Sequence, residues 1–252
     1  MPQGESIESV QRAAQVLLML STRRWLRVVD VASEIGVSAS TAHRLLSTLQ
    51  KSTLVRQNPQ TKAYGPGPAL VEIGIAALGA TDLLVESRAV LQRLTNDVRE
   101  TSHLIVLSQT ETVFIDGVEG LNAIRAGLRV GDHTPAYCGG AGKALLAELN
   151  TEEFYRRYPK EDLGPGSTST SIRTRTALEA DFVSIRRQGY ATNFSESEDD
   201  LHAVSVVVRN RLGTARAAIS VSAPAHRLPL ESVPPLAQRI QEAASALGAV
   251  IN

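Results

Sequence analysis

The sequence predicts two domains. An N-terminal winged helix-turn-helix is joined by a helical linker to an α+β domain with a mainly antiparallel sheet. Residues 28–51 have the pattern of two helices around a tight turn, a β-hairpin pattern follows, and strand-like runs are then grouped between helices. Such grouping is typical of an α+β domain. The predicted boundaries are 1–67 for the first domain, 68–80 for the linker and 81–252 for the second domain.

A first helix is predicted from Val10 to Leu20, where apolar residues recur at helical spacing. Ser9 precedes this run and is a candidate N-cap. The face predicted to point inward consists of Val10, Ala13, Ala14, Leu17 and Leu18.

The two helices of residues 28–51 have recognisable end signals. Gly36 stands where a helix C-cap needs a residue that tolerates positive φ. Ser38 can N-cap the next helix by accepting a hydrogen bond from its free amides. The second helix has an apolar face at helical spacing, formed by Ala42, Leu45, Leu46 and Leu49. Together these signals predict a helix-turn-helix.

The opposite face of the second helix contains hydroxyls and cations but no carboxylate. It consists of Ser40, Arg44, Ser47 and Lys51, flanked by Thr41, His43 and Thr48. An acid-free face suits a helix that lies against phosphates, because a carboxylate would be repelled. Small polar residues near the N-terminus allow such a helix to enter a major groove. A solvated face of an ordinary amphipathic helix has a similar pattern, but the turn signals and the hairpin favour DNA binding.

A β-hairpin, the predicted wing, follows the two helices. Leu54–Gln57 is predicted as a strand, Asn58–Thr61 as a turn and Lys62–Tyr64 as the returning strand. Gly65–Pro68 then interrupts the chain, and a short helix is predicted as the linker.

The residues predicted to contact DNA lie on the second helix and on the hairpin. Arg44, with Ser40 and Thr41, is expected to contact base edges, since a guanidinium fits guanine O6 and N7. Phosphate contacts are expected from the hairpin and from the end of the helix. His43 is equally consistent with a base contact and with a solvated position. The full set is Ser38, Ser40, Thr41, His43, Arg44, Thr48, Lys51, Arg56 and Lys62.

Charge is unevenly distributed along the 252 residues. Residues 1–70 contain eight Lys or Arg and four Asp or Glu, a net charge of +4, and because the whole chain is neutral the remainder has −4. A basic N-terminal region followed by an acidic remainder is typical of a nucleic-acid-binding domain fused to another domain. The single cysteine, Cys138, excludes an intramolecular disulfide and a multi-cysteine zinc site. With no signal-peptide pattern and no long apolar run, we expect a cytoplasmic protein without a membrane partner.

The second domain is predicted to begin with an amphipathic helix, Asp82–Glu100. Four later helices are expected. The first opens at Cys138–Lys143 and runs to Leu149, and the second is capped by Thr151 and ends before Pro159. The other two span Thr176–Gln188 and Pro229–Val250. Val130–Pro135 is predicted to be a loop. The predicted strands are His103–Ser108, Thr112–Glu119, Asn122–Leu128, Tyr190–Phe194, His202–Arg209 and Thr214–Ser222.

Three groups of residues, in this order, resemble the IclR family of transcription regulators over essentially the whole chain. They are Ser6–Tyr64, Gly131–Ala147 with its GKALLA sequence, and a C-terminal group of Gly189-Tyr190-Ala191, Glu196 and Ala218–Pro224. The resemblance implies a GAF-like second domain that binds a small carboxylate effector. It also implies a homodimer or homotetramer on a palindromic operator. We expect the protein to repress a catabolic operon, and the sequence by itself leaves activation as the alternative. Effector binding is hypothesised to change the spacing of the two DNA-reading helices.

The resemblance places the effector pocket at Gly139, Gly140, Ala141, Asn193, Ala203, Ser220 and Ser222, with Tyr137 and Cys138 as walls. Glycines before a helix expose amides that favour an anion, and serines two apart on a strand point to one face. The two serines are also consistent with core residues bonded to backbone. Asn193 replaces an acid of some members, and the small Ala203 leaves room for a bulkier effector, such as an aromatic acid.

An enzyme with an accessory DNA-binding domain is the alternative function. Gly139–Lys143 faintly resembles a phosphate loop, but that motif requires Gly at Tyr137 and Ser or Thr at Ala144. Cys138 with His133 could indicate a thiol nucleophile, although a lone cysteine is more often a small buried apolar residue. Residues 81–252 contain no HExxH and no GxSxG motif. We therefore predict no catalytic site, no metal and no cofactor.

Overall fold

The computed structural model describes residues 7–77 and 81–251. The chain divides into two compact units, Met1–Ala80 and Thr81–Asn252. The helices are α1 Glu8–Thr22, α2 Val28–Ile35, α3 Ala39–Lys51, α4 Pro68–Ala77, α5 Thr81–Val98, α6 Gly140–Leu146, α7 Thr151–Arg157, α8 Arg175–Gln188 and α9 Val233–Gly248. The strands are β1 Val55–Gln57, β2 Tyr64–Pro66, β3 Thr101–Ser108, β4 Glu111–Val118, β5 His133–Pro135, β6 Ala191–Phe194, β7 Leu201–Arg209 and β8 Ala215–Pro224.

The first unit contains the predicted helix-turn-helix. α2 ends at Gly36, whose φ of 70° lies in the left-handed region. The Ser38 hydroxyl accepts a hydrogen bond from the Thr41 amide at 3.2 Å and caps α3. Both predicted end signals are therefore confirmed. The helices pack with α1 around a core of Val16, Met19, Leu20, Leu26, Val31, Ala42, Leu46, Leu49, Val55 and Tyr64.

The predicted inward face of α1 is partly wrong. Val10 and Leu18 are 62% and 69% exposed, while the buried residues of this helix are Val16, Met19 and Leu20. Ser9 is also not the cap, because the helix begins at Glu8 and has no side-chain cap. The apolar run at the end of the helix permits two inward faces, and packing against α2 and α3 selects between them.

The hairpin after α3 is present with a later returning strand. β1 and β2 pair antiparallel, with Arg56 opposite Gly65. β2 begins at Tyr64 rather than at Lys62. Lys62 has a φ of 57°, which is incompatible with a strand. Asn58 Oδ1 accepts the amides of two following loop residues at 2.9 and 3.0 Å, so the turn is longer than predicted.

The second unit is the predicted α+β domain. Its six strands have the order β5-β4-β3-β8-β7-β6, and all neighbours are antiparallel. α5 and α9 pack on one face of the sheet. α6 packs on the other face, and α7 and α8 form a second core beside it. Within the two described ranges no helix is long and apolar enough to cross a bilayer.

Two predictions beside the edge of this sheet are wrong. Residues 122–128 form a loop instead of a strand, because side chains bond their carbonyls: the Thr101 hydroxyl donates to Ala126 O at 2.5 Å and Arg125 donates to Asn122 O at 3.1 Å. Residues 133–135 form the edge strand β5 on β4 instead of a loop. The predicted helices of this unit are present, but some of their ends differ from the prediction. α6 ends at Leu146 instead of Leu149, and α9 begins at Val233 instead of Pro229.

Candidate DNA-binding surface and ligand cavity

The outward face of α3 has the predicted polar residues. Ser40, His43, Arg44, Thr48 and Lys51 are exposed, and Thr41 is half-buried. The hydroxyls of Ser40 and Thr41 lie 3.0 and 2.9 Å from Ser38 Oγ, which forms a hydroxyl cluster at the start of the helix. The Thr48 hydroxyl instead donates to Arg44 O at 2.8 Å, so its proton is already used within the helix.

The predicted cations of the first unit form no ion pair with any carboxylate that the structure describes. Arg44, Lys51, Arg56 and Lys62 are exposed and make no ion pair with a described residue. The acidic groups of Glu8 and Glu34 are instead paired with Arg12 and Arg23, at 2.5 and 2.7 Å. Free cations near an acid-free helix are what contact with DNA phosphates requires.

Trp25 is a residue of this surface that the sequence reasoning missed. The Arg56 guanidinium lies 5.6 Å from the Trp25 ring centroid. Gly65, opposite Arg56 in the hairpin, lies so close that a Cβ there would be 2.8 Å from the same ring. Trp25 therefore holds the base of the hairpin and orients Arg56 by a cation–π contact.

A cavity of about 280 Å³ lies in the second unit, on the face of the sheet that packs against α6. Seven of the nine predicted effector residues line it, and its floor follows from strand register. On β8, Ser220 is opposite His103 of β3, and Ser222 is opposite Ala203 of β7. Residues two apart on a strand share a face, so both serines lie on the floor. The seven residues are Gly139, Gly140, Ala141, Asn193, Ala203, Ser220 and Ser222.

The two serine hydroxyls are available to a ligand. Ser205 Oγ donates to Ser220 Oγ at 2.9 Å, which leaves the Ser220 proton without an acceptor. The Ser222 hydroxyl makes no hydrogen bond with a described residue, although the residue is only 8% exposed. Neither hydroxyl forms a hydrogen bond with a described backbone atom, which is the contact that the core-serine alternative predicts.

Tyr137 and Cys138 do not line the cavity. They belong to a short 3₁₀ turn, Ala136–Cys138, that precedes Gly139 and directs their side chains into the core beneath α7 and α8. The Tyr137 hydroxyl donates to Pro165 O at 3.1 Å, and Cys138 is fully buried. Family position alone could not reveal this turn.

Asn193 lines the cavity, but its side-chain amide is hydrogen-bonded within the protein. Its Oδ1 accepts the Glu196 amide at 2.7 Å and its Nδ2 donates to Ser197 Oγ at 2.6 Å. Both ends of the side chain are thus bonded within the loop after β6. Asn193 therefore shapes the loop that brings Ser197 and Glu198 to the cavity.

His103 is a cavity residue that the sequence reasoning missed. Its side chain is 1% exposed, and Nε2 accepts the Arg129 amide at 3.3 Å. Burial, assisted by the positive charge of Arg129, lowers the pKa of His103 from 6.5 to about 4, so the ring is neutral at pH 7. A Cβ at Gly117 would be 2.7 Å from the ring, so the opposite strand needs a glycine here.

Arg129 was also missed, because its partners are distant in sequence. Its Nε donates to Asp132 at 3.1 Å and its NH1 donates to Glu198 at 2.6 Å. The guanidinium carbon lies 5.0 Å from the Phe114 ring centroid. All four side chains line the cavity.

The lysine of the GKALLA sequence is structural. Lys143 is 2% exposed, and its Nζ lies 2.8 Å from Glu196 and 2.9 Å from Asp181. Burial raises the pKa of the Glu196 carboxyl. This cluster ties α6 to α8 and to the loop after β6, so it supports the cavity without lining it.

The geometry suits reversible binding of DNA and of a small molecule. One unit presents a capped, acid-free helix whose cations form no ion pair with a described residue, and the other has a cavity with the Ser220 and Ser222 hydroxyls on its floor. In the parts of the chain that the structure describes, no cluster of His, Cys, Asp and Glu is arranged to hold a metal ion. These features define the class of DNA-binding regulators with a separate ligand domain.

Comparison with known proteins identifies the family. The profile of the IclR helix-turn-helix domain matches residues 9–59. That of the bacterial transcriptional regulator IclR C-terminal domain matches residues 75–249, more than half of the chain. The protein belongs to the IclR family of DNA-binding transcriptional regulators, and the enzyme alternative is wrong.

Individual relatives are similar over nearly the whole chain. The HTH-type transcriptional regulator XynR of Escherichia coli K12 is 31% identical, over 98% of this chain and 98% of its own. The transcriptional repressor IclR of the same organism is 26% identical, over 90% of this chain and 84% of its own. The crystal structure of an IclR homologue from Microbacterium hydrocarbonoxydans, complexed with 4-hydroxybenzoate, matches with a TM-score of 0.80 and 22% identity, over 95% and 97%.

Proposed function

We propose that the protein is a sequence-specific repressor of a catabolic operon whose affinity for DNA is controlled by a small carboxylate. The observation that carries this proposal is the pair of hydroxyls, Ser220 and Ser222, whose protons have no acceptor among the described residues, at the floor of a cavity in a chain that also has an acid-free helix. The repressor named among its relatives supports the direction of control.

DNA reading is assigned to α3 and the hairpin. α3 lies in the major groove with Ser40, Thr41 and Arg44 at base edges. The hairpin acts as a wing that contacts phosphates through Arg56 and Lys62. One such module makes too few contacts for operator specificity, so two copies of the chain bind a palindromic site.

The substitution Arg44→Ala tests the base contact. It should reduce discrimination between operator and unrelated DNA by about 1–3 kcal/mol, since a bidentate contact to guanine is lost. Fluorescence anisotropy with both DNAs measures the difference. The matched control is Lys62→Ala, which should weaken binding to both DNAs alike, because a phosphate contact does not read sequence. Unchanged discrimination in the Arg44 variant would remove this residue from base reading.

Effector binding is assigned to the cavity. Ser220 and Ser222 donate to the ligand carboxylate, and amides of the segment from Gly139 add further donors. The cavity of about 280 Å³ suits a small aliphatic or aromatic acid. Apolar walls at Ile105 and Phe114 favour the aromatic class. The sheet covered by helices on both faces supports a GAF-like assignment for this domain.

A thermal-shift screen against aliphatic and aromatic carboxylates tests this assignment, because a ligand that binds the native state raises the melting temperature. The double substitution Ser220→Ala with Ser222→Ala should then weaken the best ligand by roughly tenfold or more, since hydrogen bonds to a charged group are worth about 1.5–3 kcal/mol each. DNA binding without ligand should remain intact. Unchanged ligand affinity in the double variant would show that the carboxylate binds elsewhere.

A further inference from the structure

Three charged side chains stand together at the cavity, and we call them the rim triad: Asp132, Arg129 and Glu198. Arg129 donates to Asp132 at 3.1 Å and to Glu198 at 2.6 Å. The side chain of Arg129 is 24% exposed, and those of the two acids are 53% and 54% exposed. With one cation between two carboxylates, the rim triad has a net charge of −1.

The rim triad connects two loops on different sides of the cavity. The backbone amide of Arg129 is bonded to His103 on β3, whereas its guanidinium reaches Glu198, which lies between β6 and β7. The floor serines lie on β8, between β3 and β7 in the sheet. The serines and the rim triad line the same cavity, so a ligand that binds the serines through its carboxylate can reach the rim triad with its far end.

Among the described residues at the cavity, no other charge compensates the rim triad. Among the described residues that line the cavity, Arg129 is the only permanent cation, and the buried His103 ring is neutral at pH 7. Lys143 does not line the cavity and is already paired with Glu196 and Asp181. The positive charge of Arg129 is thus neutralised before any ligand arrives.

This arrangement favours a neutral polar group at the far end of the ligand. The second terminal nitrogen of Arg129 makes no hydrogen bond with a described residue, so it can donate to a hydroxyl oxygen. The same hydroxyl can donate its proton to Asp132 or Glu198. A second carboxylate would only accept, and it would face two carboxylates of like charge at close range.

We propose that the rim triad is a charge filter, which makes the cavity accept hydroxylated monocarboxylates and reject dicarboxylates of the same size. This inference rests on the proposed function, because it takes the serine floor as the site of the first carboxylate. It adds the class of effector that the fold and the family do not specify.

Two matched pairs of probes test the filter by isothermal titration calorimetry on the full chain. The aromatic pair is 4-(hydroxymethyl)benzoate and benzene-1,4-dicarboxylate, and the aliphatic pair is 5-hydroxypentanoate and pentanedioate. In each pair the skeleton is the same and only the far group changes from hydroxyl to carboxylate. In any pair that binds, the hydroxy acid should bind at least roughly tenfold tighter than the diacid, because like charges repel at the rim triad.

The double variant Asp132→Asn with Glu198→Gln provides the causal test. It changes the net charge of the rim triad from −1 to +1, so the preference for the hydroxy acid should fall by roughly tenfold or more. Glu119→Gln is the matched control, because this acid of the same loop pairs with Arg125 and does not line the cavity. The control should leave the preference unchanged.

The outcomes distinguish failure of the charge filter from failure of the assignment of the cavity to carboxylates. If a diacid binds the natural chain as tightly as its hydroxy partner, or if the double variant keeps the natural preference, the charge filter is wrong while the carboxylate cavity stands. If neither member of either pair binds, the assignment of the cavity to carboxylates fails, and the filter fails with it.

Discussion

At the scale of single residues, His103 shows how the sheet accommodates a polar group beside the cavity. Its ring is 1% exposed and lies edge-on to Phe114, with ring centroids 5.1 Å apart. Nε2 accepts the Arg129 amide, while Nδ1 has no partner among the described residues. A buried group of this kind remains neutral, because protonation would place an unsolvated charge next to Arg129.

The burial of His103 predicts a pH dependence of stability. Between pH 6.5 and 4 the unfolded chain binds a proton at this residue and the folded chain does not, because burial lowers its pKa to about 4. This contribution to the free energy of unfolding is therefore complete above pH 6.5 and is lost as the pH falls toward 4. From pH 7 to pH 5 the loss should be about 2 kcal/mol.

Urea unfolding of the natural chain and of His103→Gln, at pH 7 and pH 5, measures this contribution. The variant lacks the titrating ring, so its free energy of unfolding should fall by about 2 kcal/mol less over this interval than that of the natural chain. An equal decrease in both proteins would show that His103 is protonated in the folded state at pH 5.

At the scale of elements, the segment before α6 determines the shape of one side of the cavity. The chain makes a 3₁₀ turn at Ala136–Cys138, extends at Gly139 with a φ of −156°, and begins α6 at Gly140. Gly142 lies against the turn, because a Cβ there would be 2.0 Å from Ala136 O. The glycine thus permits the close packing that places the segment over the serine floor.

The two glycines of this segment should respond differently to a methyl group. Gly142→Ala should lower the free energy of unfolding by about 1–3 kcal/mol, because the added Cβ meets backbone that must shift. Gly139→Ala is the matched control and should change it by less than about 0.5 kcal/mol, since nothing lies within 4 Å of the added atom. Urea unfolding measures both. Equal effects would contradict the close approach at Gly142.

Elements with chemical end signals were predictable from the sequence. Gly36 and Ser38 predict the ends of α2 and α3, and Gly189 ends α8 with a φ of 79°. Residues 122–128 have a strand-like pattern, but two of their carbonyls accept hydrogen bonds from side chains outside the segment, Thr101 and Arg227. No local sequence signal reveals such partners. The short edge strand β5 likewise has no local sequence signal that would predict it.

The candidate site was predictable only in part, for a related physical reason. The serine pair and the glycine segment are short, local patterns, and the family resemblance assigned them to the cavity. The contact between Arg129 and Glu198 joins residues 69 positions apart. It exists only because the sheet brings their loops together, so the sequence alone gave no indication of the rim triad.

At the scale of the whole molecule, the proposed DNA-reading surface and the proposed effector cavity belong to different units of the chain. Under the proposed function, the ligand acts on DNA affinity through a coupling free energy, which is typically about 1–3 kcal/mol, or about 5–150-fold in affinity. Coupling of this kind is reciprocal, so DNA must change the affinity for the ligand by the same factor. A ligand that binds the DNA-bound and free forms equally would control nothing.

The most direct test is the affinity for operator DNA, with and without a saturating amount of the carboxylate that gives the largest thermal shift. The operator is first selected from random DNA with the purified protein, and anisotropy titrations then give the dissociation constants. We predict a change of about fivefold or more for the natural chain. The variant with alanine at Ser220 and Ser222 should show no change at the same ligand concentration. An unchanged operator affinity in the natural chain, with the ligand bound, would contradict control by the cavity.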